Sequence, residues 1–294
     1  MLNLFIKIIV LVSLSSAQMM EVPNFNKEDS SLLMNFNLEA NELSLTASKA
    51  LVISSDSRAV FYEKEADTVQ AIASITKLMT ALVFLDNNPG WEETYTIRRE
   101  DNVEGGRLHL FLGEEVYIRD LLATSLVASD NGATQALVHA SGLSTEEFVV
   151  AMNEKAKKLS LFKTNFVDPI GLSDYNVSTA KEVALLAKEA LNNPEISRLT
   201  QQKEYQFKTL NGRNKKIEST NYLLFSENGN DFSILGSKTG YTEAAGYCFV
   251  GRFQNPDGRE VISVVLGSDG KNERFKESRV LINWVFNNYS WKIS

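Results

Sequence analysis

The stretch from Ile75 to Leu85 constrains this chain most. Leu78, Met79, Ala81, Leu82, Val83 and Phe84 make a helix over these residues apolar on nearly every side, and such a helix has to lie inside a core. Other layers must enclose it, and 294 residues suffice for one large domain or two small ones. With 44% hydrophobic residues, 23% charged residues and only 5 Pro, the body of the chain reads as globular protein rather than a disordered or fibrous one.

The flanking patterns supply those layers. Ala50-Leu51-Val52-Ile53 and Ala59-Val60-Phe61-Tyr62 flank a turn-rich link and predict a hairpin. Val116 to Ala128 and Ala133 to Ala140 predict two helices broken at Ser129-Asp130-Asn131-Gly132, and Thr145 to Leu159 and Thr179 to Leu191 predict two more. Beyond residue 200 strand patterns return: Tyr205 to Leu210 before Asn211-Gly212 as a hairpin, then Tyr247 to Phe253 and Val261 to Leu266 as neighbouring strands. Arg274 to Asn287 closes as a helix. Strands at both ends with helices between them predict a mixed α+β fold, with one antiparallel sheet built from both termini, flanking helices and a helical insertion.

Several functions are excluded early. Thirty Lys plus Arg against 37 Asp plus Glu give a net charge of -7 with no long basic run, so nucleic acid is not an expected partner. The single cysteine, Cys248, allows no intramolecular disulfide, and His109 and His139 alone cannot complete a Cys/His zinc cluster; no metal or other cofactor is expected. Catalysis must therefore find its base outside the usual histidine, or use one of these two, which read as structural.

At the N-terminus Lys7 is followed by the apolar run Ile8 to Leu14 and by Ser15-Ser16-Ala17. This pattern predicts a secretory signal over residues 1–17, cleaved before Gln18, with an uncleaved anchor as the alternative. The apolar stretch is short against the roughly 20 residues that a bilayer span needs. A polar leader over 18–45 and a catalytic domain over 46–294 follow, and the domain is expected outside the cytoplasm, in the periplasm or cell wall.

Three short motifs carry the chemistry. In Ser74-Ile75-Thr76-Lys77 the lysine lies one turn from the serine, on the same face, and can take its proton. A serine at a helix start also feels the positive end of the helix dipole. S-x-x-K recurs at Ser160, Ser178 and Ser268, but only the Ser74 copy opens an all-apolar helix, where a buried lysine is costly unless it has a use. Ser129-Asp130-Asn131 lies at a helix break; S-x-N recurs at Ser219 and Ser226, and alone reads as an N-cap. Lys238-Thr239-Gly240 occurs once, just before an expected strand, and alone reads as an exposed lysine beside a turn glycine.

Together, in this order and 55 and 109 residues apart, the three match the penicillin-recognising set. From about Lys49 to Trp291 the chain resembles the serine-type D-Ala-D-Ala carboxypeptidases and endopeptidases, the low-molecular-mass penicillin-binding proteins of peptidase family S11. The likeness extends over Ala73 to Ala81, Gly171-Leu172, Ser178-Thr179-Ala180, Thr220 to Leu224 and Lys238 through Tyr247. It implies peptidoglycan stem peptides and β-lactams as ligands. It further implies Ser74 as nucleophile, Lys77 as its base and Ser129 as relay to the leaving nitrogen. Asn131 would bind a substrate amide, and Lys238, Thr239 and Gly240 the ligand's carboxylate end. The backbone N–H groups of Ser74 and Tyr241 match the family's oxyanion hole, and Arg274 aligns with its arginine for a terminal carboxylate.

Many relatives continue into a β-rich domain and an amphipathic membrane helix, whereas this sequence ends at Ser294, so stable membrane insertion is not expected. Phe166-Val167-Asp168-Pro169 and Ala245-Gly246-Tyr247-Cys248 also resemble the short endopeptidase branch. A class A β-lactamase shares the three motifs but needs E-x-x-L-N, and Glu189-Ala190-Leu191-Asn192 is one residue short of it. A non-catalytic penicillin-sensing domain remains the other alternative.

Overall fold

The computed structural model describes residues 33–34, 43–103, 105–226 and 231–291. The expected signal over 1–17 and most of the leader lie outside them. The chain opens with a hairpin, β1 (Lys49–Ser54) and β2 (Val60–Lys64), and then enters a helical block. That block holds α1 (Lys77–Asp86), α2 (Ile118–Val127), α3 (Asn131–Ala140), α4 (Thr145–Lys158), α5 (Ala180–Asn192) and α6 (Pro194–Thr200). A second hairpin, β3 (Glu204–Lys208) and β4 (Asn214–Glu218), leads to β5 (Ser233–Thr242), β6 (Gly246–Gln254) and β7 (Glu260–Ser268). The last helix is α7 (Glu273–Asn288).

The main sheet has the order β5-β6-β7-β1-β2 and is antiparallel throughout, so strands from the two ends of the sequence form one layer. Its middle strands are covered on both faces, which explains why they read as unbroken apolar runs rather than as alternations. Ala50, Val52, Phe249, Val261 and Val265 pack with Phe275, Leu281, Ile282 and Val285 of α7. Leu51, Ile53, Val250, Ile262, Val264 and Leu266 face the other way, into the larger core shared with the helical block. There α1 is enclosed, with every residue from Lys77 to Phe84 buried. Leu33–Met34, within the stretch read as leader, pairs with Tyr289–Ser290 just after α7. Among the described residues no helix is long and apolar enough to cross a membrane.

Two local expectations need correction. Lys238-Thr239-Gly240 lies inside β5, not before a strand. Polar residues and glycines hide the pattern because this edge strand faces functional groups: Ser237, Lys238 and Thr239 are buried polar residues, and the register slips between Ile234 and Gly236. Ser74 sits in a single 3-10 turn, Ala73–Thr76, that runs into α1, so the α-helix proper begins at Lys77. The short helix α6 was not foreseen, although Asn193 caps it and Pro194 opens it as helix-start rules require.

Candidate active site

The Ser74 turn is wedged between backbone segments that tolerate no side chain. Ala73 holds a left-handed φ of 49°, which turns the chain sharply before the serine. A Cβ on Gly171, itself at φ 88°, would stand 2.1 Å from the Ala73 carbonyl oxygen, and one on Gly240 would stand 2.8 Å from that of Ile72. Glycine at these two positions lets the 166–173 loop and β5 close on the serine from two sides.

Lys77 is the buried centre of the site. Its Nζ lies 2.8 Å from Ser74 Oγ, 2.8 Å from Asn131 Oδ1 and 2.7 Å from the Ile170 carbonyl. The last two groups only accept, so they take two N–H bonds, and the third position on the nitrogen faces the Ser74 hydroxyl. In the neutral amine that position is a lone pair. Complete burial brings the Lys77 pKa down from 10.5 to about 7, against the pull of the Asp130 and Asp168 charges. Asn131 is fixed at its other end by Nδ2 donating to the Gly105 carbonyl at 2.7 Å, so both ends of its amide are assigned.

The second motif serves both readings that its sequence allowed. Asp130 is the N-cap of α3, accepting from the Ala133 N–H at 2.8 Å, and its other oxygen takes the His109 N–H and Nδ1 at 2.9 and 2.8 Å. Ser129, just after α2, adopts a left-handed φ of 58°, and its Oγ receives Lys238 Nζ at 2.7 Å. Lys238 also donates to its own strand at the Thr239 carbonyl. Burial, then the positive charges of Lys77 and Arg274, hold the Lys238 pKa well below its ordinary value.

Thr239 Oγ1 shares a 2.6 Å hydrogen bond with Thr220 Oγ1. Arg274, at the start of α7, is no solvated arginine: it is 5% exposed, and Nη1 donates to the Gly240 carbonyl at 2.9 Å and the Cys248 carbonyl at 3.3 Å. Its Nε is buried without a partner. Burial lowers its pKa to about 10, which leaves it cationic at neutral pH. Tyr241 is half exposed and stacks on Tyr247 with ring centroids 4.3 Å apart.

The nine residues singled out from sequence therefore converge. Ser74, Ser129, Asn131, Thr239, Gly240, Tyr241 and Arg274 line one cleft of about 650 Å³, and Lys77 and Lys238 reach it from below through Ser74 and Ser129. The other S-x-x-K serines do not join them: Ser178 bonds Thr164 and Ser268 bonds Glu277. His139 is tied to Asp101, and Cys248 is a buried thiol donating to the Ala245 carbonyl.

Three contributors were given no role by the sequence. The loop from Phe166 supplies the Ile170 carbonyl; Asp168 holds it by accepting the N–H groups of Ile170, Gly171 and Ser173, and Asn176 Nδ2 ties it to Thr76 Oγ1. Asp168-Pro169-Ile170-Gly171 was the available turn signal. Thr220 belongs to the S-x-N copy at Ser219, which lines the same cleft. The Gly105-Gly106 pair marks the loop that buttresses Asn131.

Comparison with known proteins agrees with this arrangement. The family model for D-alanyl-D-alanine carboxypeptidase, peptidase S11, matches residues 36–270. A D-alanyl-D-alanine endopeptidase of Escherichia coli is 32% identical over 249 residues, 84% of this chain and 79% of that protein. The D-alanyl-D-alanine carboxypeptidase DacF of Bacillus subtilis is 31% identical over 255 residues, 85% of this chain and 64% of the relative. Penicillin-binding protein D2 of Listeria monocytogenes, solved in its cefotaxime-bound form, is 36% identical with a TM-score of 0.72, over 83% of this chain and 99% of that one.

Proposed function

This chain belongs to the D-alanyl-D-alanine carboxypeptidase family S11, and from that membership we propose that it hydrolyses the bond between two D-alanines in peptidoglycan stem peptides through an acyl-enzyme on Ser74. The observation that carries the reading is the environment of Lys77, whose buried nitrogen keeps one position for the Ser74 hydroxyl and has a pKa of about 7. Ser74 Oγ adds to the carbonyl carbon of the penultimate D-alanine while its proton passes to Lys77 Nζ. The N–H groups of Ser74 and Tyr241 hold the oxyanion. Lys238, hydrogen-bonded to Ser129, orients that hydroxyl to give its proton to the leaving nitrogen while it takes up the proton held by Lys77, so Ser129 is restored and Lys77 is neutral again. Asn131 binds an amide of the acyl-donor peptide, and Thr239, Lys238 and Arg274 receive the carboxylate of the leaving side. Neutral Lys77 then takes a proton from the water that attacks the ester and gives that proton to Ser74 Oγ as the acyl bond breaks, which restores the serine hydroxyl and the neutral amine.

Such a substrate lies outside the cytoplasmic membrane, which fits the signal expected over residues 1–17 and a catalytic unit over 46–294. The β-lactamase alternative lacks support, because no E-x-x-L-N string accompanies the three motifs. Labelled penicillin tests the reading: the label is expected on the peptide containing Ser74 and is expected to vanish in Ser74→Ala. Attachment at Ser129 or Ser160 would overturn the assignment.

A further inference from the structure

Two cavities share one wall. Along Arg107–Leu110 the residues alternate between two cavities: Arg107 and His109 line the catalytic cleft, whereas Leu108 and Leu110 line a separate cavity of about 500 Å³. The segment is pinned at His109. Its N–H and ring Nδ1 both bond Asp130, and its carbonyl accepts from Lys215 Nζ at 2.8 Å, itself bridged to Glu114 at 2.6 Å. Four residues earlier the Gly105 carbonyl accepts from Asn131. Arg107 is thus held on the cleft face of a fixed segment, beside the residue that receives the donor peptide's amide.

Arg107 itself is exposed and makes no hydrogen bond or ion pair with any described residue. Arg58, Arg99, Lys157, Lys158, Lys203 and Lys208 are likewise without a side-chain ion pair among the described residues, but none of them lines the catalytic cleft. The described lining of the cleft adds Lys271 and Arg274 and a single acid, Glu218, so a protein of net charge -7 presents a cationic cleft. Low-dielectric walls of one sign concentrate ligands of the opposite sign.

We propose that Arg107 forms a second carboxylate subsite, on the acyl-donor side, for a side-chain carboxylate on the residue that precedes the D-Ala-D-Ala pair. The inference rests on the proposed peptidase function and adds a preference to it. A planar guanidinium that has no internal partner offers two parallel N–H donors to a carboxylate. Arg274 stands apart, at the start of α7, where it serves the leaving side.

The test uses two synthetic peptides ending in D-Ala-D-Ala that differ only in a carboxylate or a carboxamide on the side chain of the preceding residue. For the intact protein kcat/KM is expected to favour the acid by on the order of tenfold or more, as a charge-assisted hydrogen bond predicts. Arg107→Ala should equalise the two peptides, and Arg107→Lys should keep part of the preference. Equal rates in the intact protein, or an undiminished preference in Arg107→Ala, would overturn the subsite. Penicillin labelling separates the two levels: Ser74 labelled with no preference for the acid refutes the subsite alone, whereas no label at Ser74 refutes the peptidase reading as well.

Discussion

The pKa of Lys77 makes the proposed mechanism quantitative. Moving a lysine from 10.5 to about 7 favours its neutral form by about 5 kcal/mol. The neutral amine is the base, so activity belongs above the folded pKa and is lost as pH falls through it. With a pKa of about 7 the competent fraction is about 9% at pH 6, about half at pH 7 and about 91% at pH 8. The rate constant for acylation by a fluorescent penicillin should therefore rise about tenfold between pH 6 and pH 8 and then level off. A climb of tenfold per pH unit continuing to pH 9 would mean that Lys77 keeps its ordinary pKa, and a flat profile would mean that it is not the base. Lys77→Arg should abolish the rise, because a guanidinium stays protonated throughout. For folding the sign differs from that of an ion-paired base: a depressed lysine pKa costs stability in full below about pH 7, and the cost fades as pH rises toward 10.5.

Gly171→Ala places a Cβ 2.1 Å from the Ala73 carbonyl oxygen at φ 88°, and urea melts should register a loss of about 3 kcal/mol or more. An unchanged midpoint would mean that the loop behind Ser74 yields freely. Arg274→Ala should lower kcat/KM on a pentapeptide ending in D-Ala-D-Ala by about 1.5 to 3 kcal/mol of lost charged hydrogen bonding. Cleavage restricted to cross-linked dimers and unaffected by the substitution would instead point to the endopeptidase branch. After brief penicillin exposure and removal of free drug, mass spectrometry should find the adduct on the intact protein for many minutes; loss within seconds with drug turnover would restore the β-lactamase alternative.

Much of this site was legible because its chemistry sits on short motifs whose residue types have few other uses in company. Ser74 and Lys77 are one helical turn apart, so local periodicity alone brings them together, and the apolar helix behind them marks the lysine as buried. Sequence also located the sheet, since strands covered on both faces leave continuous apolar runs such as Ala50 to Ile53. What escaped it was held by backbone. The Ile170 carbonyl that fixes Lys77 could belong to any residue type, and only the Asp168 side chain, gathering four N–H groups from the loop, betrays the arrangement. The β5 strand was hidden for a related reason: its buried residues are polar because their neighbours are Ser129, Thr220 and Asn221 rather than core. Asp130 needs no role beyond a cap from its sequence context, and it caps; its grip on His109 depends on a contact 21 residues away that no local pattern encodes.

The same anchoring that shapes the site explains why a penicillin adduct should last. Asp130 and Asp168 are the carboxylates whose charges act on Lys77, yet neither lines the cleft. Asp130 is occupied by the Ala133 N–H and by His109, and Asp168 by four backbone N–H groups of its own loop. They hold Asn131 and the Ile170 carbonyl where Lys77 needs them, and in doing so are withdrawn from proton transfer with water. The described acid that does line the cleft, Glu218, ends β4 on the second hairpin, away from the Ser74 turn. In the proposed mechanism, proton transfer in both half-reactions thus falls to Lys77. With a peptide, departure of the leaving amine opens the ester to water. With a β-lactam the leaving nitrogen stays covalently tethered to the acyl group, and in the proposed mechanism it is expected to obstruct the attacking water. Acylation is then expected to proceed as it does with a peptide, and deacylation, without a second base, to be slow.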